Sequence, residues 1–178
     1  RSIAPEVGLH DATDDLNAAY DDLEGQGVTV RLRGIGTALG KVLRGHKDEE
    51  SVFEALATHT SDMVRAWAAY VLASDEATPL PERLQATRRF AADGAVAVRE
   101  IAWDSLRPFI AADLDVGLKL LQPSVHDPDP NIRRSAVEGT RPRGVWTFHI
   151  EALKADPELG LPLLEPVRSD DSRYVQRA

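Results

Sequence analysis

The chain has 178 residues, 43% of them hydrophobic and 28% charged, with a formal net charge of −8. That supports one sizeable domain with a core, and the acidic balance argues against a general nucleic-acid coat protein while leaving room for a local basic groove. The lack of cysteine excludes disulfides and thiolate metal sites and fits a cytoplasmic setting. No apolar run approaches the roughly 20 residues of a membrane span, and residues 1–6 lack the apolar region of a signal peptide.

Acids crowd the first stretch, at Asp11, Asp14, Asp15, Asp21, Asp22 and Glu24. A pattern then begins: apolar, basic, two variable residues, small. It reads Val30-Arg31 with Gly34, Val64-Arg65 with Ala68, Val98-Arg99 with Ala102, and Ile132-Arg133 with Ala136, each copy 34 residues after the last. Val175 opens a partial fifth copy after a longer step of 43 residues. Before the copies lie amphipathic stretches, Ser51–Thr58, Pro81–Ala92 and Leu114–Leu121. Helix-start signals stand between, at Ser61-Asp62, Asp93-Gly94, Asp127 to Pro130 and Asp170 to Ser172. The unit is thus helix, turn, helix, and a fixed period of this size means stacked units. The expected fold is all-α: HEAT-like helical repeats stacked into a right-handed superhelix with a concave groove. It forms a single domain over residues 1–178, with about four complete helical pairs and a truncated fifth. A last helix barely a turn long is not stable alone, so the native chain is expected to continue past Ala178.

Helical phase sorts the second helix of each unit. Positions three, four and eight after the apolar anchor share its face and read as core, as Ile101, Ala102 and Leu106 do. Positions two, six and nine fall opposite, on the expected groove. They are Leu32, Gly36 and Leu39; then Ala66, Tyr70 and Ala73; then Glu100, Asp104 and Arg107; then Arg134, Glu138 and Arg141, with Arg177 opening the fifth. Glu100 and Asp104 are four apart, a like-charge arrangement costing about 0.2–0.5 kcal/mol. Two readings stand: a surface network neutralised by Arg107 and Arg134, or an acid site. Trp67 falls on the core side and Trp103 on the flank between core and groove. Trp146 follows Pro142 and Gly144 in the segment that lengthens the period, with Arg141 and Arg143 at the groove's edge. It either plugs that connection or meets a ligand.

Gly34 to Lys41, "GIGTALGK", lacks the spacing of a phosphate loop, so no nucleotide cofactor is expected; the glycines read as close-packing residues of a repeat helix. The five histidines show no metal spacing. No metal and no cofactor are implied.

"VREIAWDSLRPFI" (98–110), "NIRRSAVEGTRPRGVW" (131–146) and "LPLLEPVRSDDSRYVQRA" (161–178) resemble the bacterial DNA alkylation repair glycosylases built from HEAT-like repeats, the AlkC/AlkD group. The resemblance covers roughly residues 50 to 178. It implies excision of N3- or N7-alkylated purines from duplex DNA, by a protein expected to be monomeric. It also implies a catalytic aspartate at Asp104, with Glu100 as the alternative carboxylate, and a groove arginine in Arg133-Arg134, of which phase selects Arg134. The remaining DNA-contact candidates are Arg133, Arg141, Arg143, Arg107, Arg177, Trp103, Tyr70 and Trp146. Where AlkD-type members carry an aromatic one turn before the aspartate, this chain has Glu100, and another family aromatic falls beyond Ala178. A non-catalytic DNA-binding paralogue and a protein-binding HEAT scaffold are the competing readings.

Overall fold

The computed structural model describes residues 3–144 and 146–178. The described residues form α-helices and short 3₁₀ turns, with no strand among them. The all-α repeat expectation holds. The residues divide into two compact units, the first ending at Ala77 and the second spanning Thr78–Ala178.

The first unit contains α1 (Thr13–Asp21), α2 (Val28–Leu43), α3 (Glu49–Ala57) and α4 (Asp62–Ser74). Its decisive contact is α2 on α4. A methyl group at Gly36 would lie 2.3 Å from Tyr70 Cβ and 3.0 Å from the Trp67 carbonyl oxygen, and one at Gly40 would collide with Ser74 Oγ. The two helices therefore approach to within backbone contact, which only glycine permits. This rotates α2 away from the expected phase. Its anchor Val30 is 50% exposed, whereas Gly36 and Leu39, expected in a groove, are buried. Tyr70 is corrected with them: it is 2% exposed, covered by α2, and unavailable to DNA.

The second unit contains α5 (Leu80–Ala91), α6 (Val96–Ala112), α7 (Leu114–Leu121), α8 (Pro130–Glu138), α9 (Glu151–Ala155), α10 (Leu161–Leu164) and α11 (Arg173–Gln176). Here the expected core positions hold, although Asp104, Arg107 and Glu138, expected on the groove, are buried as well. Val98, Ile101, Ala102 and Leu106 of α6 are buried, as are Ile132, Ala136 and Val137 of α8. Leu106, Ile110, Leu118, Leu121, Val137, Leu163 and Val175 meet in one core, so the last short helices are held by packing rather than by propensity.

The repeated arginine has a structural reason. In three copies the turn before the second helix closes on its own side chain: Ser61 N–H donates to His59 Nδ1 (3.0 Å), Ala95 N–H to Asp93 Oδ1 (2.7 Å) and Asp129 N–H to Asp127 Oδ1 (2.9 Å). The arginine then reaches back over the same turn. Arg65 Nη1 donates to the carbonyls of His59 and Thr60 (2.8 and 3.2 Å), Arg99 Nη1 to those of Asp93 and Gly94 (2.6 and 3.0 Å), and Arg133 Nη1 to those of Asp127 and Pro128 (2.7 and 3.1 Å). Turn carbonyls have no partner in a helix ladder, and a planar guanidinium spans two of them at once. Arg133 also grips the next turn, with Nε and Nη2 on the Asp170 carboxylate at 2.6 and 2.8 Å. All three of its guanidinium nitrogens are engaged in the fold, so the expectation of a DNA contact at Arg133 gives way to a structural clamp.

Two outcomes follow from these contacts. Gly36→Ala overpacks α2 against α4 and lowers stability by about 1–3 kcal/mol, more than the roughly 1 kcal/mol of helix propensity it gains; urea unfolding measures the difference. The hydrogen bond from Arg133 holds the Asp170 carboxyl below its ordinary value. A depressed carboxylate contributes stability that is complete above the unfolded value of about 3.9 and is lost as pH falls through the folded value. Asp170→Asn should cost about 1–2 kcal/mol at neutral pH. The difference from the unmodified chain should shrink when unfolding is measured near pH 3, where the carboxylate has begun to protonate in the unfolded state.

Candidate active site

The second unit carries a cleft of about 220 Å³. Its walls come from α6, from α8, and from the irregular connection between Gly139 and Ile150 that accounts for the longer fourth step. α6 supplies Glu100 and Trp103, α8 supplies Arg134 and Glu138, and the connection supplies Arg141 and Trp146, with Arg107 at the base.

Glu138 organises the cations. Its carboxylate is buried and accepts hydrogen bonds from Arg134 Nη2, one turn earlier on α8, and from Arg141 Nη1 (3.0 Å), three residues later. The Arg134 guanidinium lies 4.3 Å from the centre of the Tyr174 ring and also donates to the Tyr174 carbonyl. Arg99 lies 5.2 Å from the same ring and donates from Nε to its hydroxyl (3.1 Å). The α11 aromatic thus sets the position of Arg134. Arg141 keeps 48% of its side chain exposed, making it the more accessible of the two Glu138 partners.

The two tryptophans form a pair. Trp103 and Trp146 have ring centroids 5.6 Å apart and planes inclined by 37°, a favourable tilted arrangement. Trp103 is buried and Trp146 is exposed. Trp146 therefore presents an aromatic surface to solvent while leaning on an anchored partner.

Two expected roles change. Arg107 is fully buried and is not a phosphate contact. Its Nε donates to the Phe148 carbonyl (3.0 Å), Nη1 to those of Glu138 (3.0 Å) and Gly139 (3.3 Å), and Nη2 to those of Arg141 (2.8 Å) and Phe148. Burial pushes its ionisation below the usual range, opposed chiefly by the nearby Asp104 carboxylate. The charge ties the connection to α6. Asp104 itself is 1% exposed and does not line the cleft, whereas Glu100, one turn earlier, is half-buried and does. Of the two carboxylates lining the cleft, Glu138 is buried and bonded to two arginines, which leaves Glu100 the more accessible. Arg143 and Arg177 are exposed and stand outside the cleft walls.

Helical phase placed Glu138 on the expected groove without giving it a role, and Tyr174 was not among the candidate site residues. Glu138 had a usable signal, being four residues after Arg134 and three before Arg141, both helix-neighbour spacings. Tyr174 had none, because its partner Arg99 is 75 residues away.

No protein-family model matches the chain. The uncharacterized protein YhaZ of Bacillus subtilis (strain 168) is 38% identical to it over 74 residues, covering 42% of this chain and 21% of that protein. The structure of Pseudomonas fluorescens alkylpurine DNA glycosylase AlkC, bound to DNA containing an abasic site analog, matches 98% of this chain with a TM-score of 0.75 and 22% identity. The fold is AlkC-like. The chain spans about half the length of that AlkC, 49%, and about a fifth of YhaZ. Among the described residues of this AlkC-like chain, no helix is long and apolar enough to cross a membrane.

Removing the buried guanidinium tests how the cleft is held. Arg107→Ala leaves several buried carbonyls without donors and should cost about 3 kcal/mol or more. If the connection then detaches, the near-ultraviolet circular dichroism of the Trp103–Trp146 pair should collapse while the far-ultraviolet helix signal remains.

Proposed function

We propose that the protein is a DNA repair N-glycosylase that excises N3- or N7-alkylated purines from duplex DNA by hydrolysing the N-glycosidic bond. The reading is carried by the cleft, where the half-buried carboxylate of Glu100 stands among a tryptophan pair and three arginines, within an AlkC-like fold. An alkylated purine is cationic and leaves readily, so the chemistry asks for stabilisation of an oxocarbenium-like sugar and for a placed water. One carboxylate supplies both, by electrostatics and as a base. Trp146, backed by Trp103, offers a cationic base or sugar an aromatic face. Arg141 is half-exposed and Arg143 exposed, suited to backbone phosphates, which position a duplex without reading its sequence. Exposed Arg177 extends the same set, and Arg134 serves by holding Glu138 and Tyr174 in place. Asp104 acts from beneath through its charge next to Arg107. A monomer working in the cytoplasm without a cofactor completes the reading. A protein-binding helical scaffold is the second reading, favoured by the net charge of −8 and by Glu138's hold on two cleft arginines.

Incubation with methylated duplex DNA, followed by assay of free 3-methyladenine and 7-methylguanine, separates these. The expected result is base release that falls by about 100-fold or more in Glu100→Gln. Release kept in Glu100→Gln but lost in a folded Asp104→Asn returns the catalytic role to Asp104. Arg141→Ala should weaken duplex binding and reduce the slope of log affinity against log salt by about 1. Salt-dependent binding without release would leave a non-catalytic DNA binder; neither binding nor release would leave the scaffold.

A further inference from the structure

Trp103 is a wall of two hollows. One is the cleft; the other, of about 280 Å³, lies within the second unit among α5, α6, α8 and the 3₁₀ turn that follows α7. Packed interiors contain few voids larger than a water molecule. An apolar cavity of about 150 Å³ accommodates a benzene ring, so this hollow has room for a fused pair of rings. Its sides are largely hydrocarbon and indole, from Leu84, Leu106, Ile132 and Trp103.

Two polar features make it more than a packing gap. Thr87 lines it and is 1% exposed, yet its hydroxyl has no hydrogen-bond partner in the fold. A threonine inside a helix ordinarily bonds back to a carbonyl of the preceding turn, and a buried hydroxyl left unsatisfied is costly. The charged side chains lining the hollow, Arg88 and Asp127, neutralise each other in an ion pair of 2.5 Å. The hollow thus offers a largely apolar slot with no net charge, the buried unpartnered Thr87 hydroxyl, and the further polar side chains of Gln85, Ser124 and Ser135 in its lining.

We infer that this hollow binds an uncharged, flat bicyclic heteroaromatic molecule of purine size, with its rings against Trp103 and Ile132 and one edge hydrogen-bonded to the Thr87 hydroxyl. A purine alkylated at N3 or N7 is a cation while attached to its sugar and neutral once free, so within the proposed glycosylase reading the released base fits this description. The site itself stands on the hollow's geometry, and its test uses free base without DNA, so its failure is separate from that of the glycosylase reading.

The experiment is calorimetric titration of the full chain with 3-methyladenine, alongside tryptophan fluorescence. Saturable one-to-one binding is expected, with a fluorescence change that disappears in Trp103→Phe. Thr87→Val keeps the branched shape and loses the hydroxyl; it should weaken binding by about 5–10-fold. Ala136→Leu projects into the hollow and should abolish binding. Thr87→Val is the decisive variant if Ala136→Leu fails to fold. Absence of saturable binding at millimolar base overturns the inference, as does affinity unchanged in Thr87→Val. Binding lost in Glu100→Gln but intact in Thr87→Val would assign the base to the cleft and overturn it equally.

Discussion

A buried guanidinium is the constraint on which the second unit turns. Taking Arg107 out of water is unfavourable by itself. It is tolerated because four backbone carbonyls, those of Glu138, Gly139, Arg141 and Phe148, converge on it, with the Asp104 carboxylate close by. Those carbonyls belong to the end of α8 and to the connection beyond it. A segment with little regular structure is thereby fixed to the middle of a long helix. Trp146 and Arg141 ride on that segment, so the cleft's outer wall is as well placed as the bonds to Arg107 make it.

The same chemistry recurs in smaller form in three of the four copies of the repeat. Arg65, Arg99 and Arg133 cover the paired carbonyls of their own turns. Several of the chain's arginines use their forked heads to satisfy carbonyls that helices leave over. Only a subset of the arginines remains for a ligand. In the stretch from Asn131 to Trp146, Arg133 is consumed by the fold, Arg134 and Arg141 share Glu138, and Arg143 is exposed.

Much of the second unit was legible in the sequence because its signals are local. The aspartates and prolines at the turns, the 34-residue spacing and the apolar anchors all agree on where α5 to α8 begin and end. The first unit was less legible. The phase of α2 is set by glycines, which carry no hydrophobic signal and act only through the close approach of α4. Helical phase put Glu100 and Asp104 together on the groove, but only Glu100 lines the cleft and Asp104 is buried. Depth depends on what covers a residue, which helical phase along one helix does not describe. Tyr70 failed as a ligand residue for the same reason, since the helix that buries it was assigned the wrong face. The pairing of Trp103 with Trp146 required the course of the connection, which no periodicity describes.

The extra residues between Gly139 and Ile150 enter the chain after the hydrogen bonds of the fourth turn are complete and before those at Asp170 begin. An insertion there leaves the bonding of both neighbouring repeats untouched. Such a position suits gradual evolution: side chains of the loop can change without unravelling the stack so long as its carbonyls still meet Arg107. New chemistry can then be tried on an old scaffold at little risk to folding.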